Sequence, residues 1–256
     1  MLVAVTREVS EAIDSCELTH LPRTPIDVEL ARAQHRAYEA ALEQGGCTIV
    51  RVNAAPRLPD AVFVEDVAVV FDEVAVITRP GAISRRSETS AVADVLARYR
   101  PLQFVRHPAT IDGGDVLVAG RKVFVGVSSR TNAAAVEQLR AILGPHDYEV
   151  HAVAVKGCLH LKSAVAALAD DRLLLNGDWV PREPFSSFDL VDIDPLEPAA
   201  ANIVRAGSLL VYPDAFPRTR ERLERAGLCV RTVGLSEIAK AEGAVTCCSL
   251  IFPTVR

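Results

Sequence analysis

A polar segment followed by a short apolar strand recurs five times along the chain, about every 40 to 50 residues. The five segments begin at Val64, Gly113, His160, Ala200 and Cys247. Each unit reads as a polar loop, a strand, a turn, a strand, a helix and a further strand, and the opening strand and helix close the circle. The repeat therefore predicts an α/β fold, a five-fold pseudosymmetric α/β propeller whose polar loops surround a central cavity.

Four stretches carry the three- and four-residue apolar spacing of helices: residues 27–46, 87–99, 131–143 and 218–227. The first ends in Gly45 and Gly46, a typical helix stop. No Pro/Ser-rich linker or low-complexity tract divides the chain. We therefore expect a single propeller domain over residues 1–256.

Composition limits the classes of partner. The formal net charge is −5 and arginines are scattered, which argues against nucleic acid and favours a small-molecule substrate. No apolar run reaches the roughly 18 to 20 residues of a membrane helix, and the start lacks a basic leader, so we expect no membrane association and a cytoplasmic location. The six cysteines show no C-x-x-C pair, which predicts reduced thiols and no structural zinc.

The polar segments carry residues of catalytic chemistry. Taken singly, an aspartate after proline or in "DGGD" is a turn residue, and a lone histidine usually belongs to the core. Together they supply a thiol, an imidazole and several carboxylates that one fold could bring to one cavity. Such a set suits nucleophilic catalysis by a thiol on a cationic substrate. Its members are Asp60, Glu65, Asp66, Asp112, Asp115, His160 and Cys247.

The adjacent cysteines in "AVTCCSLIF" raise the question of which one could react, since free cysteine usually packs as a small hydrophobe. If this run is a strand, its side chains alternate between two faces. Cys248 then shares a face with Leu250 and Phe252, whereas Cys247 lies with the polar Ser249. The pattern therefore assigns Cys247 to the cavity and Cys248 to the core.

Several longer motifs resemble those of the dimethylarginine dimethylaminohydrolases, which belong to the guanidine-modifying superfamily of five-fold α/β propellers. They are "FVEDVAVV", "TRPGAISRRSE", "TIDGGDVLVAGRKVFVGVSSRTN", "LHLKSAVAAL", "PRTRE" and "TCCSLIF". The resemblance covers nearly the whole chain, with the motifs in the same order and at similar spacing. It implies a hydrolase that converts Nω-methylated arginines to citrulline and methylamine or dimethylamine, without a metal or organic cofactor.

The resemblance also implies roles for individual residues. Cys247 would be the nucleophile, His160 the general acid and base, and Asp112 the carboxylate that orients His160. Glu65 and Asp66 would bind the guanidinium, Asp60 the α-amino group, and Arg85 and Arg130 the α-carboxylate. The backbone carbonyl of Ala241 and a leucine on an N-terminal flap, Leu18 or Leu21, would complete the substrate site.

A mechanism follows from these charges. A guanidinium remains protonated and needs carboxylate partners when it leaves water. The Cys247 thiolate would attack the central carbon, with its pKa lowered by the cation and by His160. His160 would protonate the departing nitrogen and then activate water to release citrulline from a covalent thiouronium.

Two other functions stay open from the sequence. Arginine deiminase chemistry would use a second aspartate two residues after the histidine, where this chain has Lys162. Loss of that carboxylate is expected to leave room for N-methyl groups. The alternative from another class is a non-catalytic propeller that binds a partner. Either form could be a monomer or a homodimer.

Overall fold

The five-fold arrangement is confirmed in the computed structural model, which describes residues 1–254. Within this range the strands form five sheets of three strands each. In every sheet one outer strand pairs antiparallel with the middle strand and the other pairs parallel. The predicted domain extends to residue 256, and its last two residues lie outside the described range.

The strands are β1 (Leu2–Thr6), β2 (Cys47–Arg51), β3 (Ala68–Val70), β4 (Ala75–Ile77), β5 (Leu102–Phe104), β6 (Val116–Ala119), β7 (Lys122–Val127), β8 (Glu149–Ala154), β9 (Val165–Ala167), β10 (Arg172–Leu175), β11 (Asp189–Asp192), β12 (Val204–Ala206), β13 (Leu209–Pro213), β14 (Val230–Val233) and β15 (Leu250–Pro253). The sheets have the orders β15-β1-β2, β3-β4-β5, β6-β7-β8, β9-β10-β11 and β12-β13-β14.

The four predicted helices are confirmed. The helices are α1 (Val28–Gln44), α2 (Thr89–Leu96), α3 (Ala133–Leu143), α4 (Pro217–Arg225) and the short α5 (Ser236–Ala239). The carboxylate of Asp27 caps α1 and the amide of Asn132 caps α3, each accepting a backbone N–H of the first turn. In the described chain, none of the helices is long and apolar enough to cross a membrane.

A central channel of about 230 Å³ runs between the sheets. One strand from each sheet contributes to its wall, namely β3, β6, β9, β12 and β15. The ring closes because β15 pairs antiparallel with β1, and the Thr254 N–H donates to the Met1 carbonyl at 2.8 Å. The five units thus form a closed circle around the channel.

Short 3-10 helices precede four of the channel strands, including the run around Cys247 that was expected to be a strand. They span Val64–Val67, Gly113–Asp115, Leu161–Ser163 and Thr246–Cys248. Neighbouring turns contact one another at one end of the channel. The polar segments of the repeat therefore meet there, as predicted, but they do so on tight turns.

Candidate active site

The 3-10 turns surround a cavity of about 20 Å³, room for about one water molecule. Its lining includes seven of the predicted site residues: Asp60, Asp66, Arg85, Arg130, His160, Ala241 and Cys247. Three others with a predicted role, Asp112, Glu65 and Leu18, lie outside this lining. Asp112 lies behind His160, Glu65 borders the central channel, and Leu18 packs against the apolar core.

The two cysteines were assigned to the cavity and the core on the prediction that they belong to a strand. That prediction is wrong. Thr246–Cys248 is a 3-10 helix, and β15 begins only at Leu250. The two thiols nevertheless differ as expected in exposure. Cys247 is half-buried and lines the cavity, whereas Cys248 is fully buried, with its Sγ 3.6 Å from the Ala244 carbonyl oxygen.

The low thiol pKa expected at Cys247 depends on a bound cationic substrate, because the surrounding protein groups act in the opposite direction. Burial raises the pKa of Cys247 to about 12, and the negative charges of Glu65 and Asp66 act in the same direction. The thiol therefore keeps its proton at neutral pH. A cation bound between the carboxylates and the sulfur would remove this penalty.

His160 lies between two carboxylates. Its Nε2 is 3.1 Å from Asp112 Oδ2, and its Nδ1 is 3.8 Å from Asp66 Oδ1. Burial opposes a charge on the ring, but Asp66, Asp112 and Asp115 outweigh it and raise the pKa of His160 to about 9. The ring is an imidazolium at neutral pH, ready to act as a proton donor.

The paired glycines allow this close approach. A Cβ on Gly114 would lie 2.5 Å from His160 Nδ1, and a Cβ on Gly113 would lie 2.0 Å from the Glu65 carbonyl oxygen. A side chain at either position would displace the histidine or the carboxylate turn. The "GGD" motif is therefore a packing requirement of the site.

Asp115 has a positioning function that the sequence analysis did not identify. Its buried carboxylate accepts the Leu161 N–H at 2.9 Å and the hydroxyls of Ser128 and Thr131 at 2.6 Å. It thereby fixes the residue after His160 to the loop that carries Arg130. The signal was present as the second aspartate of "DGGD".

Asp66 and Arg85 form a buried ion pair in the cavity wall. The Arg85 guanidinium donates to Asp66 Oδ2 at 2.6 Å, to Glu88, and to the backbone carbonyls of Asp60 and Phe63. Despite burial, His160 and Arg85 hold the pKa of Asp66 below its usual range, so its carboxylate is charged. The role of Arg85 at a substrate carboxylate stays a prediction, since its donors already have protein partners.

Glu65 forms an ion pair with Lys162, the residue that was expected to leave room for N-methyl groups. Lys162 Nζ lies 2.6 Å from Glu65 Oε1, and the Thr246 hydroxyl donates to Glu65 Oε2 at 2.8 Å. Burial raises the pKa of Glu65 even beside this ammonium group. The pair borders the central channel rather than the Cys247 cavity. Lys162 therefore does not leave one side of the site empty, because it pairs with Glu65, one of the residues predicted to bind the guanidinium.

An N-terminal flap, residues 17–21, covers the cavity. The Glu17 N–H donates to the Asp60 carboxylate at 3.2 Å, and the Thr19 hydroxyl accepts from Arg130 at 2.8 Å. The carboxylate of Glu242 accepts the N–H groups of all three residues 19–21, with the shortest contact at 2.5 Å. Three contacts thus hold the flap over the groups predicted to bind the amino-acid part of a substrate.

Glu242 is a second residue that sequence reasoning missed. Its φ of +57° is in the left-handed region, which is uncommon for a residue other than glycine. Glu242 lies between Ala241, in the cavity wall, and Gly243. A side chain at Gly243 has no room, because its Cβ would lie 2.3 Å from the Phe63 ring. Of the two flap leucines, Leu18 is half-buried against the core and Leu21 is 48% exposed.

Asp66, Asp112 and His160 offer ligand atoms within 4.8 Å of one another, a spacing that could hold a metal ion. With the pKa of His160 raised to about 9, a proton occupies the lone pair that a metal would need at neutral pH. A metal ion at this position would therefore have to displace that proton.

Comparison with known proteins places this geometry in a family. The sequence model for N,N-dimethylarginine dimethylhydrolase of eukaryotes matches residues 13–183. The chain is 36% identical over 242 residues to the N(G),N(G)-dimethylarginine dimethylaminohydrolase of Pseudomonas aeruginosa, covering 94% of both chains. It belongs to the dimethylarginine dimethylaminohydrolase family. The homologue of that name from Streptomyces coelicolor is 42% identical over 248 residues, covering 96% of this chain and 95% of its own.

Solved structures of dimethylarginine dimethylaminohydrolases share the fold. A cysteine-to-serine mutant of the Pseudomonas aeruginosa enzyme, complexed with citrulline, aligns with a TM-score of 0.93 at 34% identity, covering 97% of this chain and 98% of that one. The N-terminal domain of the cyanobacterial arginine dihydrolase ArgZ aligns with a TM-score of 0.90 over 99% of this chain and 98% of that one, at 19% identity. The second likeness shows the shared fold alone.

Proposed function

We propose that this protein hydrolyses Nω-methylated arginines to citrulline and methylamine or dimethylamine through a covalent adduct on Cys247. The observation that carries the proposal is one cavity lined by a thiol, an imidazolium and a charged carboxylate, in Cys247, His160 and Asp66. Membership of the dimethylarginine dimethylaminohydrolase family supports the substrate class.

The first half of the reaction forms the adduct. The guanidinium binds Asp66, and its charge lets Cys247 release its proton to solvent. The thiolate then forms a bond to the guanidinium carbon. The imidazolium of His160, oriented by Asp112, gives its proton to the methylated nitrogen, whose bond to carbon breaks. Neutral amine leaves, and a thiouronium remains on the sulfur.

The second half hydrolyses the adduct. Neutral His160 takes a proton from a water molecule as its oxygen attacks the thiouronium carbon. The carbon–sulfur bond breaks with the sulfur leaving as a thiolate, the remaining hydroxyl proton passes to solvent, and citrulline is released. His160 is again an imidazolium, and Cys247 regains a proton from solvent. The same residue therefore acts as acid and then as base.

Substrate entry requires the flap to open, since the cavity of about 20 Å³ admits about one water molecule. The groups that the flap engages, Asp60 and Arg130, then become free for the α-amino and α-carboxylate groups of the amino acid. Arg85 supports the same region by fixing Asp66. The Ala241 carbonyl and the flap leucine complete the site that we propose.

The location that we infer is the cytoplasm, where the six free cysteines would stay reduced. The acidic composition fits a small-molecule substrate rather than nucleic acid. The protein would act as a monomer or a homodimer, and without a metal or organic cofactor.

The test compares asymmetric dimethylarginine, monomethylarginine and arginine as substrates of the purified protein, with citrulline and the released amine measured together. We expect citrulline with an equal amount of dimethylamine or methylamine, and none from the Cys247→Ser variant. Faster release of ammonia from arginine would assign the protein to arginine deiminase chemistry. No citrulline from any of the three would leave a binding function.

A further inference from the structure

A second and larger cavity, of about 410 Å³, lies beside the proposed active site. Its apolar lining includes Leu21, Trp179, Phe216 and Leu235. Leu159, Glu242 and Gly243 border both cavities, whereas Cys247 and His160 do not line the larger one. The reaction proposed above uses none of this space.

The size and lining of this cavity are those of a ligand site. Small-molecule pockets usually measure roughly 300 to 1,000 Å³ and have mostly apolar walls with a few polar groups. The wall here is built from loops of three neighbouring units and from the flap. These elements would hold a compact apolar body on several sides.

The charges around the cavity select the kind of ligand. Asp214 and Glu242 line it, whereas no lysine or arginine does so among residues 1–254. Glu242 is occupied by the flap N–H groups, but Asp214 is exposed to solvent and available. The rings of Trp179 and Phe216 also belong to the lining, and aromatic rings attract cations through their quadrupole.

We propose that this cavity is a second ligand site, for a compact organic amine with an aromatic or aliphatic body. The body contacts Trp179 and Phe216, and the ammonium group lies near Asp214. His20 and Leu21 belong both to this cavity and to the flap. The ligand therefore contacts the flap without entering the cavity of Cys247.

The chain contains one tryptophan, so the fluorescence of Trp179 reports on this cavity directly. The probe is 4-phenylbutylamine, and 4-phenylbutyrate is its control of opposite charge. We expect a saturable change in emission with the amine and a much weaker one with the carboxylate. Citrulline at saturation should not displace the amine, because the two ligands occupy separate cavities.

Two variants locate the amine. Ala239→Phe, which fills part of the cavity, should weaken binding at least tenfold, whereas Ala37→Phe on α1 should not. Asp214→Asn should weaken binding about two- to fivefold, the range of an exposed ion pair, while Asp94→Asn, outside the cavity, has no effect. The unliganded emission of each variant checks its fold.

Three results would overturn the proposal: equal responses to the two probes, wild-type binding by Ala239→Phe, or competition between the amine and citrulline. The readout does not involve turnover. Failure of this site is therefore distinguishable from failure of the proposed hydrolase activity, which is measured by citrulline formation.

Discussion

A guanidinium ion bound beside Cys247 should lower the pKa of its thiol by a large and measurable amount. In the ligand-free site burial, Glu65 and Asp66 raise this pKa to about 12. At pH 7 the thiolate is then on the order of one molecule in 10⁵, because each pKa unit is a factor of ten. The nucleophile therefore forms together with substrate binding.

The expected size follows from Coulomb's law. A unit positive charge about 4 Å from the sulfur, in a protein site of effective dielectric constant about 20, stabilises the thiolate by roughly 4 kcal/mol. One pKa unit corresponds to about 1.36 kcal/mol, so the cation should bring the pKa of Cys247 down to about 9.

Thiolate absorption at 240 nm measures the effect. Titration from pH 6 to 11, with the Cys247→Ser variant subtracted to remove the other cysteines, gives the titration of Cys247 alone. The titration is repeated with millimolar guanidinium chloride and with sodium chloride of equal ionic strength. A ligand-free midpoint near the ordinary 8.5, or no difference between the two salts, would refute the reasoning.

Three further outcomes test the site. Cys248→Ser should keep most of its kcat/KM, unlike Cys247→Ser, because only Cys247 lines the cavity; equal losses would place both thiols in the reaction. The pKa of His160 is raised from 6.5 to about 9, so its proton stabilises the folded protein fully below pH 6.5 and this contribution is lost as the pH rises through 9. In the His160→Gln variant, the plot of Tm against pH should therefore be flatter over this range. A slope equal to that of the wild type would contradict the assignment. Lys162→Met should lower the free energy of unfolding in urea by about 3 to 5 kcal/mol by leaving Glu65 without its partner. Adding Glu65→Gln should restore most of that loss, and a double variant as unstable as the single one would show that the ion pair is not the cause.

The architecture could be predicted from the sequence because the repeat is periodic and its helices carry their own caps. Asp27 and Asn132 begin α1 and α3 through contacts within one turn, which local sequence encodes. The closure of the ring followed from the unpaired opening strand and helix. These features depend on patterns within a single unit.

The details of the site depend on contacts between units, and there the sequence was less informative. The run around Cys247 has the composition of a strand, yet it turns where Thr246 binds Glu65 and Asn202. Likewise, the Glu65–Lys162 ion pair joins residues of different units. A pattern read along one segment cannot anticipate such partners.

The pairing of β1 with β15 has a consequence for the order of folding. This pairing joins opposite ends of the described chain, and such distant contacts have a high entropic cost of loop closure and form late. Cys247 is three residues before β15, so its turn should become fixed only when the circle is complete. We therefore expect partially folded chains to lack an organised nucleophile, and catalytic competence to appear at the last step of folding.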